Sequence, residues 1–447
     1  MKWIVCPNLL VKTLKSKEIN NMFDHTKENL VANPAFLGDK SPTGWTFVSP
    51  RPYLALNSCV VENRTRRLAL ATNGDRYAIS CWQSEAPLEN GSWYRASVRV
   101  RMKDIENPHL SIFAQVAQHL LLPKGEWAEE TVLEREFQYN EPRDGNKVEF
   151  YLRSAAKGSV EWFDPCVQKI APPKHRMARV ATVRFEEGNF TLTFAEQRKR
   201  IAEKLDMAGA LKPDIVALPE FSHAVGVNLV ENNSYIVGAE SVPDGPVCQI
   251  LSAKARQYGM YVLAGIVEQR GKYYFNTAVI FDRSGQLIGR YDKAHLTFDE
   301  LKKGISLGDS YPVFDLDFGR IGIHICYDEW FPEVARLIAL KGAEILFLPV
   351  AGGKPITWRT RALDNGIYFV SAGIHPPSMI IDSSGAIIAE THGEGIACAD
   401  LNLDFRKVNA YVDPTLGCGM PCITPQLRHC IDDGVLDELS DEWKVGK

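Results

Sequence analysis

Three residues of different chemistry close apolar stretches in this sequence. Glu220 ends PDIVALPE, Lys293 follows GQLIGRYD, and Cys326 ends RIGIHIC. A thiol of ordinary pKa, about 8.5, is mostly protonated at neutral pH, so a nucleophilic cysteine needs a neighbouring cation, a base or both. Cys326 is followed by two acids and then by Phe331-Pro332-Glu333, which opens a helix. A side chain on such a strand-to-helix elbow is held rigidly at the sheet edge, beside backbone N–H groups able to stabilise an oxyanion. Taken alone, Cys326 also fits a core cysteine, since free Cys is among the most buried residue types. Glu220 fits a core less well, because burying an unpaired carboxylate is costly. A single acid or base at a strand end is a common surface feature. An acid, a base and a thiol at three strand ends make a sharper pattern.

The elements that must position them alternate in α/β fashion from Met177. MARVATVRF reads as a strand, FAEQRKRIAEKLDMAGA as an amphipathic helix and PDIVALPE as a strand. DGPVCQILSAKARQYG is helical and ends at Gly259, and MYVLAGIVEQ and YYFNTAVIFD are strands around the Arg270-Gly271-Lys272 turn. In RIGIHIC, Ile321, Ile323 and Ile325 occupy one face while Gly322, His324 and Cys326 occupy the other, and both faces are expected to be buried. In FPEVARLIALKG, Pro332 fits the first turn and Glu333 the positive N-terminal end. Val334, Leu337 and Ile338 form the buried stripe, and Lys341-Gly342 closes the helix.

The chain has 447 residues, more than one hydrophobic core usually serves, so two folded units are expected. Before residue 172, alternating stretches such as SWYRASVRVRM, NKVEFYLRSA and SVEWFDPCVQKI predict an antiparallel all-β unit. The expected divisions are a segment over 1–27, a β-sandwich over 28–170, a linker APPKHR at 171–176, an α/β domain over 177–410 and an extension over 411–447. The net charge is −4 and no long run of one sign occurs, which argues against nucleic acid or an anionic membrane surface as partner. Pro7, Asn8 and Lys12 interrupt any signal-like apolar run, and no stretch reaches the roughly 18 apolar residues of a membrane span. The ten cysteines are scattered, which favours a reducing compartment, and a cytoplasmic location is expected.

The local contexts resemble those of the carbon–nitrogen hydrolases of the nitrilase superfamily. Glu220 sits in ALPEF, Lys293 in GRYDKAHL and Cys326 in GIHICYDEWFPEVAR, with the flanks DFGRIG and GAEILFLPVA, over about Met177 to Asp404. The resemblance implies an α-β-β-α sandwich with catalytic residues at strand ends, and cleavage of non-peptide C–N bonds. It also implies that Glu220 takes the thiol proton, that Lys293 and the backbone N–H of Tyr327 hold the oxyanion, and that Glu300, in HLTFDELKKG beside Asp299, orients Lys293 and Glu220. No metal or organic cofactor is required. CYDEWFPEVAR looks most like the branch acting on linear amides and N-carbamoyl amines, with a nitrile as the alternative substrate. An acyltransferase using the same thioester, or a binding protein with a silent catalytic domain, are the alternatives in other classes.

Around these residues Phe221, His223, Glu329, Trp330, Trp358 and Arg359 are the candidates for the substrate pocket, Arg359 or Lys354 for a carboxylate and Glu329 for an amine. His324 shares a strand face with Cys326, but two residues along a strand place side chains about 6.6 Å apart, too far for a Cys-His pair. The N-terminal unit, through ENLVANPAF, GWTFVSP, WYRASVRVRM, GEWAEETVLEREFQ and GSVEWFDPCVQKI, resembles the jelly-roll modules of carbohydrate-binding proteins. Trp45, Trp82, Trp93 or Trp127 could stack on a sugar there, although a tryptophan in a β-sandwich is more often core, and the other role is docking on the catalytic domain or on a partner subunit. Cys418, Cys422, His429 and Cys430 lack a paired C-x-x-C, so the tail reads as an arm packing on another subunit of a homo-oligomer rather than as a metal site.

Overall fold

The computed structural model describes residues 28–404 apart from 39–40, 63–64, 125–126, 141–144, 230–234 and 376. The expectations for residues 1–27 and for the tail with Cys418, Cys422, His429 and Cys430 lie outside the described residues. The chain divides after Pro173 into two compact units.

The first unit is built from β1 (Thr46–Val48), β2 (Ala55–Glu62), β3 (Thr65–Thr72), β4 (Ile79–Glu85), β5 (Trp93–Lys103), β6 (Ile112–Val116), β7 (His119–Pro123), β8 (Glu130–Gln138), β9 (Lys147–Arg153) and β10 (Ser159–Ile170). Their order is β1-β4-β9-β6-β7-β8-β5-β10-β3-β2. Alternation in KVEFYLR sends Val148, Phe150 and Leu152 of β9 inward and leaves their neighbours half-buried. The core joins strands distant along that order: Phe150 of β9 stacks on Trp162 of β10 with ring centroids 5.1 Å apart. Trp45 and Trp82 belong to this core, and their indole N–H groups donate to Ala32 O and Ala69 O, each at 3.1 Å. These two are therefore not sugar platforms. Trp127 is partly buried against the same cluster and Trp93 is half-buried in β5. A buried β-sheet face consumes large flat side chains, and an indole donor buried there is satisfied by a carbonyl.

The second unit contains β11 (Met177–Arg184), α1 (Phe194–Ala210), β12 (Ile215–Ala217), α2 (Pro246–Tyr258), β13 (Tyr261–Arg270), β14 (Tyr273–Phe281), β15 (Leu287–Asp292), α3 (Phe298–Lys302) and β16 (Ile305–Ser306). It continues with β17 (Val313–Asp315), β18 (Arg320–Ile323), α4 (Pro332–Leu340), β19 (Ile345–Val350), α5 (Pro355–Asn365), β20 (Tyr368–Gly373), β21 (Met379–Ile381), β22 (Ile387–Glu390) and β23 (Gly395–Asn402). One sheet runs β15-β14-β13-β12-β11-β23 with β16 beside β14, and the other runs β17-β18-β19-β20-β21-β22. In β19, ILFLPV, Ile345 and Phe347 face the other sheet while Leu346, Leu348 and Val350 face α4 and α5. Ile201 and Leu205 of α1 and Val247 and Leu251 of α2 cover the outer face of the first sheet. The layers are thus α-β-β-α, with the two sheets meeting on Ile215, Leu263, Ile280, Ile321, Ile323 and Phe347. Among the described residues no helix is long and apolar enough to cross a membrane.

Candidate active site

Glu220 stands beyond a shorter strand than PDIVALPE suggests. β12 ends at Ala217, Leu218 N–H still donates to Leu263 O, and the chain then turns. A Cβ on Gly265 of β13 would lie 2.6 Å from Glu220 Cα, so only glycine lets the two backbones run this close. Lys293 follows β15 directly and keeps its N–H on Asn276 O of β14 at 2.9 Å. Glu300 is in α3, where Thr297 and Glu300 form a reciprocal capping box. The neighbouring Asp299 turns outward to Lys303 at 2.8 Å, which separates the two acids.

The strand of Cys326 also ends early, at Ile323, and a single 3₁₀ turn, Cys326–Trp330, intervenes before α4. The cause is Asp328, whose Oδ2 takes the Ile325 N–H at 2.9 Å and so removes it from any strand ladder. Cys326 has φ 44 and Phe221, next to Glu220, has φ 51. A left-handed backbone costs a non-glycine residue about 1–2 kcal/mol, and such strain collects where the fold fixes a functional side chain.

Lys293, Glu220 and Glu300 are brought into direct contact. Lys293 Nζ donates to Glu220 Oε1 at 2.9 Å and to Glu300 Oε1 and Oε2 at 3.0 and 2.9 Å, and all three side chains are buried. Asn276 Nδ2 bridges the two carboxylates at 2.7 Å to each. Ala351 N–H donates to the other Glu220 oxygen at 2.9 Å, and Thr297 N–H to Glu300 Oε2 at 2.8 Å. The half-buried Cys326 thiol donates to Gly352 O at 3.5 Å and feels the charge of Glu220. Burial, then the Glu220 charge, push that thiol well above its ordinary range, and Lys293 opposes them. Burial would discharge Lys293, but the charges of Glu220 and Glu300 outweigh it and hold the ammonium charged. The resting site is a neutral thiol beside an acceptor carboxylate and a fixed cation.

The other candidates sort differently. Tyr327 follows Cys326 at the start of the 3₁₀ turn, where helical N–H groups lack acceptors within the segment. Phe221 is half-buried beside Val267, Leu296 and Ile305, and His223 is buried with its ring edge-on to Phe221 at 6.5 Å. Trp330 stays exposed with Lys354 Nζ 5.0 Å over its ring. Trp358 is not a pocket wall: it is fully buried, lies 6.3 Å from Phe369 in the outer layer and donates its indole N–H to Glu329. Arg359 is exposed on α5, and its Nε donates to Gly385 O in the β21–β22 turn at 2.7 Å. Glu329 is not an amine receptor, because its two oxygens accept from Trp358 and from Lys354 N–H. Burial pushes the Glu329 carboxyl up, and those two donors oppose the rise. His324 is fully buried with both ring nitrogens unpartnered, packs 5.4 Å from Phe369, and is pushed down to about 4 by burial, so it is neutral at neutral pH.

Sequence reasoning missed Asn276, Tyr291 and Ala351. Asn276 did leave a signal, a lone amide inside the apolar strand YYFNTAVIF, since a buried amide requires partners. Asp328 gathers Tyr291 OH at 2.7 Å and His295 N–H at 3.0 Å, joining the cysteine turn to the lysine segment.

Known proteins share this part of the chain. A nitrilase of Pyrococcus abyssi is 38% identical over 176 residues, covering 38% of this chain and 66% of that protein. A citrullinase of Francisella tularensis is 31% identical over 164 residues, covering 36% and 57% respectively. The chain therefore spans less than two thirds of both relatives. An omega-amidase of Xenopus tropicalis, NIT2, is 31% identical over 241 residues, 47% of this chain and 84% of that protein. Residues 179–408 match the family described as carbon-nitrogen hydrolase, a span that holds both sheets almost whole and every residue of the Glu220, Lys293, Glu300 and Cys326 cluster. On that match the chain belongs to the carbon-nitrogen hydrolases of the nitrilase superfamily.

Proposed function

We propose that this protein hydrolyses a non-peptide C–N bond in a small amide or N-carbamoyl amine through a thioester on Cys326. The observation that carries the reading is the Glu220 carboxylate, which accepts from the Lys293 ammonium at 2.9 Å and whose charge acts on the Cys326 thiol. Glu220 takes the thiol proton as sulfur attacks the carbonyl carbon, and the carbonyl electrons move to oxygen, where Lys293 and the Tyr327 N–H receive the charge. Glu220 returns the proton to nitrogen, the C–N bond breaks, and ammonia or an amine leaves. Water then gives a proton to Glu220 and attacks the thioester; the C–S bond breaks, an acid is released and the thiol is restored. Glu300 and Asn276 hold Lys293 and Glu220 in place throughout. The amidase and citrullinase names among the relatives support amide and ureido substrates. The first unit we read as a jelly-roll sandwich, on its antiparallel strands and the Phe150–Trp162 stack across its core.

The test is ammonia or amine release from a panel of small amides, N-carbamoyl amines and nitriles, with wild type and Cys326→Ala. Release from amides or carbamoyl compounds by wild type alone is expected. Consumption of nitriles only would replace the substrate class, and release by Cys326→Ala would remove the nucleophile.

A further inference from the structure

We propose that Glu329 is a positioning residue for this hydrolysis, clamping the loop Ala351–Lys354 over the site so that Glu220 and Cys326 keep their orienting partners. The inference rests on the hydrolase reading above and extends it to a residue that touches no reacting atom.

The loop carries two contacts on which the chemistry depends. Ala351 N–H donates to Glu220 Oε2 at 2.9 Å, and Gly352 O accepts from the Cys326 thiol at 3.5 Å. The next two residues rest on Glu329. A Cβ on Gly353 would lie 2.7 Å from Glu329 Oε2, so the backbone passes directly over the carboxylate, and Lys354 N–H donates to Oε1 at 3.0 Å. The indole N–H of Trp358, from the first turns of α5, donates to Oε2. Glu329 itself stands three residues after Cys326 in the same 3₁₀ turn, and Arg361 fixes its backbone through Glu329 O at 3.2 Å. One buried carboxylate thus ties the nucleophile's turn to the loop that orients base and thiol.

The residue type follows from the donors. Two N–H groups arrive on two different oxygens, and only an ionised carboxylate offers two acceptors and no hydrogen of its own. A glutamine of the same shape turns its NH₂ toward one of those donors and leaves both unpaired in a dry site, where each unmet group is costly. The loop then moves to relieve the clash, and the Ala351 N–H moves with it. Misplacement of a reacting group by about 1 Å costs on the order of 100-fold in rate.

The experiment is the rate of iodoacetamide alkylation of full-length protein at pH 7, read by peptide mass at Cys326 because the chain has ten cysteines. It uses wild type, Glu220→Gln, Glu329→Gln and the double variant, and it needs no substrate. Wild type is expected to react at least about tenfold faster than Glu329→Gln, and Glu329→Gln is expected to add little to Glu220→Gln, since it acts through Glu220. Equal rates in wild type and Glu329→Gln, or a full further loss in the double variant, overturn the proposal while leaving the hydrolase reading intact. Equal rates in wild type and Glu220→Gln overturn the base assignment itself, and the proposal with it. Where Glu329→Gln does not fold, Trp358→Phe, which keeps the ring and removes the donor, carries the same comparison with a smaller expected loss.

Discussion

Asp328 accepts the backbone N–H of His295 at 3.0 Å and meets that residue's ring Nδ1 at 2.9 Å, so a carboxylate two residues after the cysteine holds the chain two residues after the lysine. Its other oxygen takes Ile325 N–H and Tyr291 OH. Asp328→Ala strands these buried donors and is expected to cost about 3 kcal/mol or more in urea unfolding, while Tyr291→Phe, which removes one donor, costs about 1–2 kcal/mol. An unchanged midpoint in Asp328→Ala would show that the two segments do not depend on this tie.

Asn276 donates to Glu220 and Glu300 at once. Asn276→Ala frees the Glu220 carboxylate to rotate about its two remaining donors and is expected to lower kcat on the order of 10- to 100-fold with little change in KM. Asn276→Asp adds a third carboxylate against one ammonium and is expected to be worse. Activity in Asn276→Asp equal to wild type would remove Asn276 from the machinery.

His324 predicts how stability responds to acid. Burial depresses its folded pKa from the usual 6.5 to about 4, so the fold favours the neutral ring. That contribution is fully present above pH 6.5 and is lost as pH falls toward 4, on the order of 3 kcal/mol in all. Both ring nitrogens lack partners, so His324→Leu is expected to fold and to flatten this acid limb. Superimposable stability curves for the two proteins between pH 7 and 4 would contradict the assignment.

Much of the second unit was legible because its signals are local. Helix α1 spans the predicted FAEQRKRIAEKLDMAGA, capped by Thr193 and Glu196, and Gly259 ends α2 in a left-handed conformation. The motifs around Glu220, Lys293 and Cys326 pointed to the family that the match over 179–408 shows. What failed was what lies across from a residue. Asn276 meets partners 56 and 24 positions away, so nothing near it in sequence could identify them. Trp358 lies on α5, and its neighbours in sequence show which side chains share a face of that helix but not what the face meets. Glu329 looked like a free acid because its donors come from a loop 25 and a helix 29 residues on. In the first unit, Trp45 and Trp82 looked like candidate platforms because aromatic residues serve cores and surfaces alike.

Gly322 tests the packing that seats the cysteine turn. A Cβ there would lie 2.0 Å from Ile338 Cγ2 of α4, within a buried layer that cannot yield freely. Gly322→Ala is expected to cost about 1–3 kcal/mol. Thermal unfolding that leaves the midpoint unmoved would mean that α4 shifts without penalty.

The most direct test of the account is peptide-mapped mass after acid quench of wild type, Glu220→Gln and Cys326→Ala incubated with a pool of small amides, N-carbamoyl amines and nitriles. An acyl adduct on Cys326 is expected in wild type, formed far more slowly in Glu220→Gln and absent from Cys326→Ala, its mass naming the acyl group. Turnover that persists in Cys326→Ala, or an acyl adduct that maps to another cysteine, would contradict it.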